Sequence, residues 1–162
     1  MKKAPPRPDR LDINDAIREV VELTRAEAVR NDVLVRTELA NGLPFVKGDR
    51  VELQQVVINL ISNAVEAMST VAEGPRELLI SAARAESAVL VTVQDSGPGM
   101  SAADPERIFD PFYTTKPNGL GMGLSISRSI VEAHGGRLRA GTNAPRGAIF
   151  QITVPADAGR PT

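Results

Sequence analysis

Asn59 and Asn63 lie four residues apart in the run Asp49-Arg50-Val51-Glu52-Leu53-Gln54-Gln55-Val56-Val57-Ile58-Asn59-Leu60-Ile61-Ser62-Asn63-Ala64-Val65-Glu66-Ala67-Met68. On a helix that spacing stacks both carboxamides on one face, one turn apart. They read either as boundary residues at the rim of a core or as neutral oxygen donors. Mg²⁺ takes such donors while sharing the phosphates of a nucleotide. A second group is Asp95-Ser96-Gly97-Pro98-Gly99-Met100. An acidic residue before a glycine turn is a common loop signal. Yet the alternation of Val89, Val91 and Val93 carries Asp95 onto the same apolar face. A carboxylate there costs several kcal/mol unless a donor fills the site. The exocyclic amino group of a purine is such a donor, and Gly97 and Gly99 would let the backbone approach a flat ring closely.

A third group, Asn118-Gly119-Leu120-Gly121-Met122-Gly123-Leu124-Ser125, runs straight into a helical pattern. It reads as a hinge with a helix start, or as backbone N–H groups and a helix dipole offered to an anion. The spacing is GxGxG with no strand before it and no Gly-Lys-Ser/Thr ending, so neither the dinucleotide fingerprint nor a Walker loop applies. Between the second and third groups lies Arg107-Ile108-Phe109-Asp110-Pro111-Phe112-Tyr113-Thr114-Thr115-Lys116. Phe109 and Phe112 are either the small core of a lid or a docking patch for a partner. Lys116 is either a solvated loop residue or a contact for a terminal phosphate.

The elements that must position these groups follow from pattern. Asp49 caps a helix over Arg50–Met68, and Glu52 is placed to reach back to the capping N–H. Leu53, Val56, Val57, Leu60, Ile61, Ala64 and Ala67 form its apolar arc. Before it, Asn14 to Asn31 reads as one helix, Val33–Leu39 as a strand, Asn41-Gly42 as a turn and Pro44–Lys47 as a short edge strand. After it come a hairpin of Glu77–Ala83 and Ala88–Asp95, a long loop with a turn of helix near Asp104–Ile108, and a helix over Gly121–His134 stopped by Gly135-Gly136. Gly136–Thr142 and Ala148–Val154 are the last two strands. A loop of about 20 residues inside a compact domain signals a lid or binding loop. Strands grouped beside helices predict a two-layer α/β sandwich with a mixed sheet.

With 162 residues and 42% hydrophobic content the chain is one globular domain. Residues 1–10 read as a disordered leader or linker stub, 11–155 as the domain and 156–162 as a flexible tail. Aromatics are only 3%, so Leu, Ile, Val and Ala must build the core. The absence of cysteine excludes disulfides, thiolate zinc sites and a cysteine nucleophile, and fits a reducing compartment. No apolar run is long enough for a membrane span or a signal peptide. Net charge is −1, of which the first ten residues carry +3, leaving −4 for the remainder. That balance argues against nucleic acid.

The helix of Asn59 and Asn63, DSGPGM, IFDPFYTTK and GLGMGLSISRSIVEAHGG resemble, in order, the N, G1, F and G2 boxes of one family. They are those of the catalytic and ATP-binding domain of sensor histidine kinases, a Bergerat fold shared more widely with gyrase, Hsp90 and MutL. The segments look most like oxygen- and nitrogen-sensing kinases and C4-dicarboxylate sensors, over about Leu11 to Pro155. The resemblance implies a mostly antiparallel mixed sheet covered on one face by helices, with a mobile ATP lid. It implies ATP and Mg²⁺ as ligands: Asn63 on the metal with Asn59 beside it, Asp95 on the adenine amino group, and Gly97 and Gly99 lining the ring. Gly119, Gly121, Gly123 and the backbone of Leu120, Met122 and Leu124 would hold phosphate. Thr115 and Lys116 would belong to the lid, and Phe109 and Phe112 would be the F box that docks a partner.

There are departures. Glu66 and Ala67 stand where many such kinases carry a basic residue and a tyrosine, Met122 replaces a frequent leucine, and Gly147-Ala148-Ile149-Phe150 lacks a threonine often found there. The one histidine, His134, ends a helix, where the dipole favours it. A phosphoacceptor histidine is therefore expected on a separate dimerisation domain, with a response regulator beyond it, and the chain alone is expected to be a cytoplasmic monomer without membrane contact. Asn59 occupies the place of the general-base glutamate of gyrase-type ATPases, and an amide has no useful basicity. The expected function is donation of the γ-phosphate of Mg-ATP to that histidine. A non-catalytic nucleotide-binding module and an ATPase of the same fold are the alternatives.

Overall fold

Helix α3, Arg50–Met68, starts where the Asp49 carboxylate accepts the Glu52 N–H at 2.9 Å. The computed structural model describes residues 9–71, 74–99, 105–110, 123–143 and 146–157. Leu53, Val56, Val57, Leu60, Ile61 and Ala64 of α3 are buried as their spacing requires. The arc is wider than expected, because Val65 and Met68 are buried too, while Ala67 is only half-buried. Glu52 does not complete a reciprocal cap: the Asp49 N–H donates instead to His134 Nε2 at 3.0 Å.

Five strands form the main sheet in the order β2 (Leu34–Leu39), β4 (Glu77–Ala85), β5 (Ala88–Asp95), β7 (Ala148–Pro155), β6 (Arg137–Thr142). Only β2 and β4 run parallel; the other three pairings are antiparallel. The hairpin β4–β5 closes through Glu86 and Ser87, with Glu86 at φ 55°. Register places Val93 of β5 between Ile80 and Phe150, and Val91 between Ala82 and Ile152. These inward residues meet α1 (Ile13–Leu23), α3 and α4 (Gly123–Ala133) on one face of the sheet. The result is the two-layer α/β sandwich with a mixed sheet that the pattern predicts.

The first helical segment is broken. The Thr24 hydroxyl donates back to Val20 O at 2.9 Å, and at φ −100°, ψ 3° the chain leaves the helix and restarts as α2, Arg25–Arg30. The edge-strand segment becomes β3, Val46–Gly48, and pairs antiparallel with β1, Asp9–Leu11, outside the main sheet. The paired strand β1 thus reaches two residues before Leu11. Arg10 lies over the Phe45 ring at 4.8 Å and pairs with Asp157 at 3.0 Å. Beyond β7, the Ala156 N–H donates to Ser87 O and the Asp157 N–H to Phe45 O. Among the described residues no helix is long and apolar enough to cross a membrane.

Arg76 joins two helix ends. Its guanidinium donates to Asn31 O at 2.7 Å, after α2, and to Val71 O at 2.8 Å, after α3. Carbonyls at helix C-termini lack intrahelical partners, so this fork satisfies two at once. Replacing Arg76 by Ala should cost about 1.5–3 kcal/mol in urea unfolding, and Arg76→Lys should restore only part, because one ammonium cannot span both ends.

Candidate functional site

Asp95 ends β5 with its side chain turned into the core face, only 4% exposed. Its Oδ1 accepts the Gly97 N–H at 2.8 Å and the Ala148 N–H at 3.1 Å. Burial pushes the carboxyl above its ordinary value of 3.8, and the two backbone bonds pull it back without cancelling that effect. Both donors converge on Oδ1, which leaves Oδ2 as the oxygen to meet a ligand.

The loop between β6 and β7 wraps this acid. Asn143 Nδ2 donates to Asp95 O at 3.0 Å, the Asn143 N–H to Gly147 O at 2.9 Å, and Arg146 Nε to Ser96 O at 3.0 Å. Gly147 sits at φ 116°, and a Cβ there would collide with the Asp95 carbonyl oxygen. Gly99, at φ 85°, would bring a Cβ to 3.0 Å from Gly147 O, and one on Gly97 would stand 3.1 Å from Asp95 Oδ1. Gly97 borders the carboxylate with bare backbone, while Gly99 and Gly147 let the two loops pack backbone against backbone beside it. Asn143 and Gly147 escaped the sequence reading; the glycine before Ala148 was the one signal, seen there only as a departure from a family pattern.

The two asparagines are carried by α3 against α4. Asn59 Nδ2 donates to Ser127 Oγ at 3.1 Å, and its Oδ1 accepts from Gln55 Nε2 at 3.0 Å. Ser127 is fully buried, and its spacing gave no hint of this contact. Asp49 meets His134 and Asn59 meets Ser127, so the helices run antiparallel. Asn63, one turn beyond Asn59 and like it half-buried, is therefore carried toward the start of α4 at Gly123. A Cβ on Gly123 meets no described atom within 4 Å, whereas Leu124 packs on the core.

Phe109 takes the buried one of its two readings. It closes the 3₁₀ turn Pro105–Phe109 and is 5% exposed. Its ring stands edge-on to Phe150, centroids 6.5 Å apart, beneath the Arg128 guanidinium at 4.3 Å. A ring so enclosed packs with the core. Phe112, Thr115, Lys116, Gly119, Leu120, Gly121 and Met122 lie outside the described residues.

The described residues hold no cluster of three or more His, Cys, Asp or Glu that could cage a metal. A single carboxamide such as Asn63 suits Mg²⁺, which keeps waters and takes its other ligands from phosphates. The donor set fits a metal that arrives with a nucleotide.

The family model for histidine kinase-, DNA gyrase B- and HSP90-like ATPases matches residues 48–158. The C4-dicarboxylate transport sensor protein DctS of Rhodobacter capsulatus is 42% identical over 158 residues, covering 96% of this chain and 24% of DctS. The sensor protein FixL of Bradyrhizobium diazoefficiens is 43% identical over 145 residues, 89% of this chain and 28% of FixL. The chain thus spans about a quarter of the length of these relatives. The catalytic domain of histidine kinase ThkA superposes with a TM-score of 0.80 at 33% identity, covering 91% of this chain and 97% of that domain. Full-length ShkA in complex with AMPPNP gives 0.83 at 28% identity, covering 99% of this chain and 34% of ShkA. The fold is thus shared with these structures, and this chain belongs to the histidine kinase-, DNA gyrase B- and HSP90-like ATPase family, on its sensor histidine kinase branch.

Proposed function

We propose that this chain binds Mg-ATP between α3, the end of β5 and the start of α4, and donates the γ-phosphoryl group to a histidine on a separate dimerisation domain. The observation that carries this reading is Asp95: a buried carboxylate with both backbone donors on one oxygen and Gly97 beside it. Its Oδ2 would accept the adenine amino group and so fix the base. Bound ATP supplies the transferable phosphoryl group and Mg²⁺ offsets the charge of its phosphates. Asn63 would give the metal its protein oxygen, and the N-terminal turn of α4 would hold phosphate with backbone N–H groups and its dipole.

Asn59 offers no basicity, so the chain positions ATP without activating water. Transfer to an incoming imidazole then outruns hydrolysis, since phosphoryl transfer rests on positioning and charge neutralisation. With Phe109 committed to the core, Phe112 is the F-box ring left to engage the phosphoacceptor domain. An aspartate on a response regulator would take the phosphate next. The need for ATP would favour the cytoplasm as the site of this work.

Mixing the chain with a separately made dimerisation hairpin and labelled ATP should put acid-labile phosphate on the hairpin histidine. Vigorous ATP hydrolysis with no transfer would contradict the reading. Asn63→Ala should bind ATP without metal as the parent does and lose the gain that Mg²⁺ brings; an equal Mg²⁺ response in calorimetry would remove Asn63 from the metal.

Asp95→Asn should weaken ATP binding by about 1.5–3 kcal/mol, through loss of a charged acceptor. The same change should stabilise the nucleotide-free fold above mildly acidic pH. A carboxyl raised by folding contributes stability that is fully present below 3.8 and is lost as pH rises through the raised value. Asparagine keeps a neutral acceptor for Gly97 and Ala148 and has no such loss. Thermal unfolding across pH should therefore show variant and parent diverging as the acid ionises; a gap independent of pH would contradict this.

A further inference from the structure

His134 is the only histidine in the chain, and it does more than end a helix. Gly135, at φ 79°, turns the backbone out of α4, and the imidazole folds back to bridge two helix ends. Nδ1 lies 2.8 Å from Ile130 O, a carbonyl that can only accept. Nε2 lies 3.0 Å from the Asp49 N, whose hydrogen can only be donated. One protonation state satisfies both contacts: the neutral ring with its hydrogen on Nδ1 and a bare Nε2. The fit is close, since a Cβ on Gly48 would stand 2.6 Å from His134 Cδ2.

The N–H that His134 holds belongs to Asp49, the residue whose carboxylate caps α3, the helix that carries Asn59 and Asn63. His134 closes α4, the helix whose first turn faces the phosphate end of the site. We propose that His134 is a positioning residue: as a neutral hydrogen-bond acceptor it locks the start of α3 to the end of α4, and taking a second proton releases that lock and weakens Mg-ATP binding. The proposal rests on the nucleotide site described above. A proton from solvent would go onto Nε2, where it would face the Asp49 N–H, and the hydrogen bond between them would be lost.

The charged group that faces the ring among the described residues is Glu52 on α3, its Oε1 4.0 Å from Nε2. Asp49 turns its own carboxylate to the Glu52 N–H, β3 brings uncharged Gly48 to the ring, and α4 presents the Ile130 carbonyl. Glu52 is thus poised to take over a protonated ring, drawing it from the backbone N–H to a side chain. In its observed position the imidazole holds the Asp49 N–H, with the Glu52 carboxylate close beside it.

Because the chain has one histidine, the ring nitrogens of the ¹⁵N-labelled protein report on it without ambiguity. A long-range ¹H–¹⁵N spectrum at neutral pH should show the Nδ1–H tautomer; the Nε2–H form would overturn the proposal. Calorimetry of Mg-ATP binding from about pH 8 to about pH 5.5 should then separate two variants. His134→Gln keeps an acceptor near the place of Nε2, whereas His134→Asn keeps only a donor near that of Nδ1. The Asn variant should bind about three- to tenfold more weakly at neutral pH, the worth of one lost hydrogen bond, with the Gln variant close to the parent. On acidification the parent should fall toward the Asn variant while the Gln variant falls less; Asp95 titrates in all three, so the difference belongs to the ring.

Equal weakening in both variants, or superimposed pH profiles of parent and Gln variant, would refute the role. If a variant does not fold, the titration of the parent decides: the Asp49 and Asn63 amide signals should move with the ring nitrogens, and their standing still refutes it. Failure of ATP to bind at any pH sinks the proposed function instead, and the same amide signals still decide the lock.

Discussion

A carboxylate that has left water and found only two backbone N–H groups is an expensive thing to keep, and the architecture around Asp95 is arranged to keep it. β5 delivers it to the inner face of the sheet because Val89, Val91 and Val93 fix the register there. β7 begins beside it so that the Ala148 N–H can reach Oδ1. The β6–β7 loop closes over its backbone through Asn143, and only a glycine at 147 permits that approach. The acid is held against its own preference for water, which is the usual condition of a group kept for binding rather than for stability.

The second constraint is the pairing of α3 with α4. Under the proposed function, the carboxamides of α3 and the first turn of α4 would have to keep a fixed offset, because phosphoryl transfer is sensitive to small misplacement. Apolar packing holds them together through Leu60, Ile61 and Val131, but such contacts are non-directional. The directional ties are polar: Ser127 on Asn59 midway, and His134 on Asp49 at the end. Where the site needs precision, the core admits hydrogen bonds.

Much of this was legible in the sequence where a single period or cap governed it. The spacing of α3, the Asp49 cap, and the inward face of Asp95 follow from local rules and hold in the fold. What was not legible depends on partners distant in the chain. Nothing local says that the Asp49 N–H will be taken by a residue 85 positions away, so Glu52 looked like its partner. Nothing local binds Asp9–Leu11 to Val46–Gly48, and a Pro-rich, basic segment reads as a leader until its end is seen paired. The sequence left Phe109 between a lid core and a docking patch; its burial depends on Phe150 and Arg128, supplied by β7 and α4. Thr24 is the one local miss, since a hydroxyl that competes for the carbonyl of Val20 is a known weakness inside a helix.

The account stands on Asp95 receiving the base, and that carboxyl can be watched directly. With ¹³C-labelled aspartate, the Asp95 carboxyl signal should titrate above its ordinary range in the free protein. Saturation with Mg-ATP should move that titration downward, because a donated amino hydrogen favours the charged form. Purine riboside triphosphate, which lacks the amino group, should leave it raised. An Asp95 titration that is the same free, with ATP and with the purine analogue would contradict the account.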